Sequence, residues 1–253
     1  KAVVSVGCNV NEFERAQALK DAGAEYFCID VAHAHAKYIG KMLKNLRELL
    51  GKNACIIGGN VATYAGADYL ASKGADIIKV GIGGGSVCTT RIKTGFGVPM
   101  LNSVIECARC DRSIIADGGI RTPGDIVKAL AFGADFVMIG SMMAGTGPTP
   151  GETFEKTLED GSIKKFKKYR GMASLEVQED YKGKMPDWKT AEGVSTEIPA
   201  TNNEEAILAD IIGGLRSGLT YAGAATISEL QRKLDYIEIT PAGRVESLPH
   251  KIL

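Results

Sequence analysis

In a chain of 253 residues, 30 Lys and Arg balance 30 Asp and Glu and 45% of residues are hydrophobic, so the chain can bury a core without disulfide or metal staples. Zero formal charge removes the basic footprint that a phosphate backbone requires, which excludes nucleic acid as a partner. The most apolar stretch, residues 129–145, is broken by Asp135 and by glycines and falls short of the roughly 20 apolar residues of a membrane helix, so no membrane role is expected.

The first 145 residues repeat one pattern, a short apolar or β-branched run, a turn and a helix-period stretch. Strands are expected at Ala2–Val6, Tyr26–Asp30, Cys55–Ile57, Ile77–Val80, Ile114–Ala116 and Phe136–Ile139. Helices are expected between them at Asn11–Asp21, His35–Leu50, Tyr64–Lys73, Leu101–Arg109 and Thr122–Phe132. Strand alternating with helix predicts right-handed crossovers and a parallel α/β sheet. Gly23, Gly74 and Gly133 each stand where a helix ends and a strand begins, as C-cap glycines do.

After Gly145 the rhythm breaks, and residues 146–203 read as a polar, Lys-rich excursion over the site. Helical pattern returns at Glu204–Ser217 and Ile227–Leu234, followed by a short strand, Tyr236–Ile239. The length suits one (β/α)8 TIM barrel of about 250 residues, yet only six βα units are legible. The expectation is therefore a single domain over residues 1–253 with the opening strands of the barrel missing from this chain.

Six cysteines, at positions 8, 28, 55, 88, 107 and 110, are too sparse for a disulfide framework and fit a reducing cytoplasm. Cys107 and Cys110 have CxxC spacing with no second pair beside them, and they read as ordinary helix residues rather than a zinc site. His33 and His35 read as a solvated turn.

In parallel α/β folds ligands meet the carboxyl ends of the strands. Those ends here carry Asp30, Gly58-Gly59-Asn60, Gly81 to Arg91, Asp117-Gly118-Gly119 and Gly140-Ser141. Consecutive glycines let backbone groups approach a ligand closely. Cys88, in a loop of Gly, Ser and Thr, is open to two readings, an activated thiol or a packed small residue. Asp117 suits ribose hydroxyls, Gly140-Ser141 suits a phosphate, and each is equally a turn residue when taken alone.

Four separated segments, GIGGGSVCTTR (81–91), IIADGGIRTPGDIVKALAFGADFVMIGS (114–141), YRGMAS (169–174) and AEGV (191–194), together resemble the IMP dehydrogenase/GMP reductase family, in order and over residues 1 to about 234. The resemblance implies a barrel that binds a purine nucleoside monophosphate, GMP or IMP, beside a nicotinamide cofactor, in a homotetramer. It makes Cys88 the nucleophile that attacks C2 of the purine. It matches Asp117 and Gly118 to the ribose side, and Ser86, Gly119, Gly140, Ser141 and Tyr169 to the phosphate. Gly171, Met172, Ala173 and Glu192 match the groups that meet the base, while Asp30, Asn60, Lys79 and Gly81 match the cofactor side. Main-chain groups of Gly83, Gly85 and Cys88 resemble a half-site for a monovalent cation such as K+.

Within the family the dehydrogenases resemble one another in a long flap with an Arg-Tyr pair that activates water. Here only 19 residues, Ala173 to Ala191, separate Met172 from Glu192, and none is arginine. That flap and KTGFG (93–97) resemble the reductase branch, whose reaction is reduction of GMP to IMP with NADPH; the alternative is oxidation of IMP to XMP with NAD. The reductase pattern pairs a threonine, here Thr90, with a glutamate just after the GMxS turn. Leu175 fills that slot and Glu176 follows it, so Glu176 is expected to partner Thr90 after a one-residue shift.

Overall fold

The computed structural model describes residues 2–8 and 11–249. Its first part alternates as β1 (Val3–Val6), α1 (Glu12–Asp21), β2 (Tyr26–Asp30), α2 (Lys37–Leu50), β3 (Cys55–Val61), α3 (Tyr64–Ser72) and β4 (Ile77–Val80). It continues as α4 (Thr90–Thr94), α5 (Met100–Cys107), β5 (Ser113–Asp117), α6 (Pro123–Ala131) and β6 (Phe136–Met138). The six strands form one sheet in the order β1-β2-β3-β4-β5-β6, every pair parallel, as the βα rhythm requires.

The two faces of this sheet follow from a side-chain period of two. Phe27, Ile29, Ile56, Ile78 and Ile114 point to the helices and are buried with Leu43, Leu46 and Leu70. Cys28, Ile57 and Ile115 point the other way and form a smaller cluster with Ile77. The spacing Ile39, Met42, Leu43, Leu46, Leu50 on α2 makes the apolar stripe that covers the sheet. The sheet contains six strands, with β1 and β6 at its edges, matching the six βα units legible in the sequence.

Gly23, Gly74 and Gly133 have φ of 89°, 106° and 111°, as their positions after helices predict. α6 opens on a capping box, in which Thr122 Oγ1 accepts from Asp125 N and the Asp125 carboxylate accepts from Thr122 N, with Pro123 at the first helical position.

Three expectations need correction. The 146–203 excursion carries strands that its polar sequence did not mark: β7 (Thr153–Thr157), β8 (Ile163–Arg170) and β9 (Ser195–Pro199) form an antiparallel sheet, with α7 (Leu175–Lys182) inside the connection from β8 to β9. Its strands are largely exposed, so their sequences lack the apolar alternation that marks a half-buried strand. After α8 (Glu204–Tyr221) and α9 (Ile227–Arg232), residues 236–239 form no strand, because no neighbour offers a ladder; Tyr236 instead packs edge-on against Phe132 at 4.8 Å, ahead of α10 (Pro241–Glu246). Cys107 ends α5 buried, whereas Cys110 lies beyond the helix with its N–H on Cys107 O at 2.9 Å. Among the described residues no cluster of His, Cys, Asp or Glu could hold a metal ion, and no helix is long and apolar enough to cross a membrane.

The turns separate two kinds of glycine. Gly95 has φ 74° in the left-handed helical region and open space where a Cβ would stand, while a Cβ on Gly133 would lie 2.6 Å from Ala108 Cβ. Gly95→Ala is expected to cost about 1 kcal/mol of left-handed strain, and Gly133→Ala about 2–4 kcal/mol because overpacking is added to it. Urea unfolding midpoints test this, and equal losses would contradict the packing.

Candidate functional site

The strand ends are tied together by one buried ammonium. Lys79 is 1% exposed, and its Nζ donates to Asp117 Oδ2 at 2.5 Å, Asn60 Oδ1 at 2.5 Å and Asp30 Oδ1 at 2.9 Å. Asn60 completes the network by donating from Nδ2 to Gly81 O at 2.7 Å and Asp117 Oδ2 at 3.0 Å. Burial alone would lower the Lys79 pKa, but the Asp117 and Asp30 carboxylates outweigh it and hold the group above its ordinary value. Lys79, expected on the cofactor side, is thus enclosed with its three protons committed. Only Asp30, with half its side chain exposed, presents a free edge there.

Two glycine loops cross above this network. Gly119 N donates to Gly84 O at 2.8 Å, and a Cβ on Gly118, whose φ is 101°, would stand 3.0 Å from Gly84 C. A Cβ on Gly81 would collide with the Asp117 carbonyl oxygen. Backbone therefore packs on backbone, which is why this segment is so rich in glycine.

The loop that carries Cys88 is then strapped to the distant excursion. Thr89 N donates to Glu192 O at 2.8 Å, Val194 N to Val87 O at 2.9 Å, Glu192 N to Ala173 O at 3.0 Å and Gly171 N to Val194 O at 3.1 Å. These bonds set a chain of side chains in line: Cys88 Sγ donates to Thr90 Oγ1 at 3.2 Å, and Thr90 Oγ1 donates to Glu192 Oε2 at 2.8 Å. The thiol, half-buried, thereby has a path for its proton to a carboxylate. The Thr89 hydroxyl beside it is buried and has no hydrogen-bond partner among the described residues, a feature that no sequence pattern marks.

Glu176 does not meet Thr90. Ser174 caps α7 by accepting from Val177 N, so Glu176 falls in the first turn and turns toward β8, where it pairs with Lys168 at 2.6 Å and Arg170 at 3.3 Å. Hydrogen bonds from Lys168 and Ser195 hold its carboxyl below the usual range. The partner of Thr90 is Glu192, which the sequence had placed against the base.

At the other side of the loop, Ser86 Oγ and Tyr169 Oη are 2.9 Å apart. Tyr169 Oη also stands 3.4 Å from where a Cβ on Gly140 would be, which brings Ser86, Tyr169 and Gly140 together, with Ser141 next in the chain. Met172 is exposed, beside Gly171 and Ala173, and Gln178 Nε2 holds its carbonyl at 2.9 Å. His33 and His35 are exposed, as a solvated turn requires, although His35 also packs on Tyr69 at 5.1 Å. Of the expected cation half-site, Gly85 O accepts from Cys88 N at 3.1 Å, which leaves it a second lone pair, and the Arg91 stem lies against Gly83.

Parallel strands thus end in paired glycine loops around a cysteine that is hydrogen-bonded, through a threonine, to a carboxylate, an arrangement of the α/β enzyme class. The IMP dehydrogenase / GMP reductase domain model matches residues 1–250, and the chain belongs to that family of oxidoreductases. It is 40% identical to the inosine-5'-monophosphate dehydrogenase of Nitrosopumilus maritimus over 98% of its length and 54% of that protein, and 41% identical to that of Methanocaldococcus jannaschii over 100% and 54%. The chain thus spans about half the length of these curated relatives. Among solved structures, an inosine 5' monophosphate dehydrogenase from Legionella pneumophila is similar at 71% identity and TM-score 0.83, with 96% of this chain and 73% of that one covered. A GMP reductase variant from Trypanosoma brucei in complex with guanosine 5'-monophosphate is similar at 38% identity and TM-score 0.89, covering 98% and 52%.

The surroundings rank the thiols. Burial pushes Cys28 and Cys107 up to about 12, with the Lys79 charge opposing it only in part at Cys28. Iodoacetamide at pH 8 should modify Cys88 well before either, as peptide mapping would report; equal rates at Cys107 would contradict the burial described.

Proposed function

We propose that the chain carries the catalytic face of a GMP reductase, converting GMP, NADPH and two protons to IMP, NADP+ and ammonium. The observation that carries this reading is the Cys88–Thr90–Glu192 chain, combined with a 173–191 segment that holds no arginine to activate water.

In this reading Cys88 adds to C2 of the purine, and its proton passes through Thr90 to Glu192. The relay then runs in reverse: Glu192 returns a proton through Thr90 to the 2-amino group, which leaves as ammonia while the C2–S bond remains as a thioimidate. A bound nicotinamide cofactor would supply the hydride that C2 needs, after which Cys88 would leave as thiolate and IMP would result. Asp117, held in place by hydrogen bonds from Lys79 and Asn60, is suited to two ribose hydroxyls. Gly171, Met172 and Ala173 hold the base near the thiol, and proximity of this kind is worth several kcal/mol. Asp30 offers its exposed edge to the dinucleotide. A monovalent cation at Gly83, Gly85 and Cys88 takes no part in any step. We place the six strands in an eight-stranded barrel, a reading supported by the likeness to solved enzymes of the family.

A second reading, oxidation of IMP to XMP with NAD, is favoured by the 71% identical structure titled as a dehydrogenase. The two separate at 340 nm. With GMP and NADPH absorbance should fall; absorbance that stays constant there and rises with IMP and NAD would overturn the reductase. Cys88→Ala should abolish turnover while leaving GMP affinity within about tenfold, and surviving turnover would refute the covalent route.

A further inference from the structure

The ammonium of Lys167 takes part in no step above. Lys167 lies on β8 and is only 4% exposed, yet among the described residues it has no carboxylate partner. Its Nζ donates instead to the carbonyl oxygens of Thr149 at 2.7 Å, Thr146 at 2.9 Å and Gly147 at 3.2 Å, with Thr149 Oγ1 at 3.3 Å. Burying an ammonium is costly unless its protons are all taken up, and here a single turn takes them all.

That turn is the far end of the segment that begins at Gly140-Ser141. From there the backbone coils through Met143 N to Gly140 O at 3.0 Å and Thr146 N to Met143 O at 3.0 Å. Side chains reinforce it, with Thr146 Oγ1 on Met143 O at 2.8 Å and Thr149 Oγ1 on Ala144 O at 2.9 Å. Tyr169 follows Lys167 by two residues and so shares its face of β8. It meets the near end of the same coil at Gly140 and reaches Ser86 across the gap. One strand face therefore grips both ends of residues 140–149.

We propose that Lys167 is a positioning residue for the phosphate of the nucleotide. It fixes the 146–149 turn so that Gly140 and Ser141 are held in register with Ser86 and Tyr169. The inference rests on the nucleotide reading above and assigns Lys167 no contact with the ligand.

The test uses the full chain and GMP itself. Lys167→Met keeps the apolar stem and removes the donors; its dissociation constant for GMP, measured by calorimetry, should rise at least tenfold. The rate at which iodoacetamide modifies Cys88 should stay within twofold, because the Cys88 loop is held by other bonds. Unchanged affinity overturns the proposal, and so does a parallel change in Cys88 labelling, which would make Lys167 a general prop. Should Lys167→Met fail to fold, Thr149→Val decides in its place: a severalfold rise in the same constant supports the clamp and no rise overturns it. A wild-type chain that binds neither GMP nor IMP would refute the nucleotide reading itself, an outcome distinct from the other two.

Discussion

The site depends first on backbone hydrogen bonds between segments far apart in sequence. Thr89 N on Glu192 O, Val194 N on Val87 O and Glu192 N on Ala173 O lay the excursion against the Cys88 loop. Side-chain bonds add to it, from Thr90 to Glu192 and between Ser86 and Tyr169. A Cβ on Gly193 would stand 3.0 Å from Ser174 N, and one on Gly171 3.2 Å from Val87, so both glycines permit the close approach. Its consequence is chemical, since it brings a carboxylate to within one hydroxyl of a thiol.

The second constraint is electrostatic and lies beneath the first. Lys79 spreads one buried positive charge over Asp30, Asn60 and Asp117, joining the ends of β2, β3, β4 and β5. A buried cation is tolerated when every proton has an acceptor, and removal of such a cation leaves carboxylates uncompensated. The network thus ties the Asp30 and Asp117 carboxylates, from the ends of two different strands, to one ammonium.

Much of this was legible in the residues. Hydrophobic runs located all six strands to within a few positions because a parallel sheet buried on both faces writes itself as continuous Ile, Val and Phe. Glycine after a helix marked Gly23, Gly74 and Gly133 for a conformational reason that does not depend on the rest of the fold. The β7-β8-β9 sheet was not legible, because IKKFKKYR carries charges on both faces and its partners lie up to tens of residues away. The choice between Glu176 and Glu192 was beyond sequence for a related reason: it depends on where α7 begins, and Ser174 fixes that start by capping. Lys79 is placed on the cofactor side by resemblance and Lys167 looks like an ordinary lysine, and only burial reveals that both ammonium groups are enclosed by acceptors.

The claim that Thr90 and Glu192 act on Cys88 as one unit is tested most directly by a double-mutant cycle on kcat for GMP-dependent NADPH oxidation. Thr90→Val and Glu192→Gln should each slow turnover by about a hundredfold, the scale of a lost proton relay. The double variant should be no more than about threefold slower than either, because members of one unit are not additive. Losses that multiply to about ten-thousandfold would show two independent groups and contradict the relay.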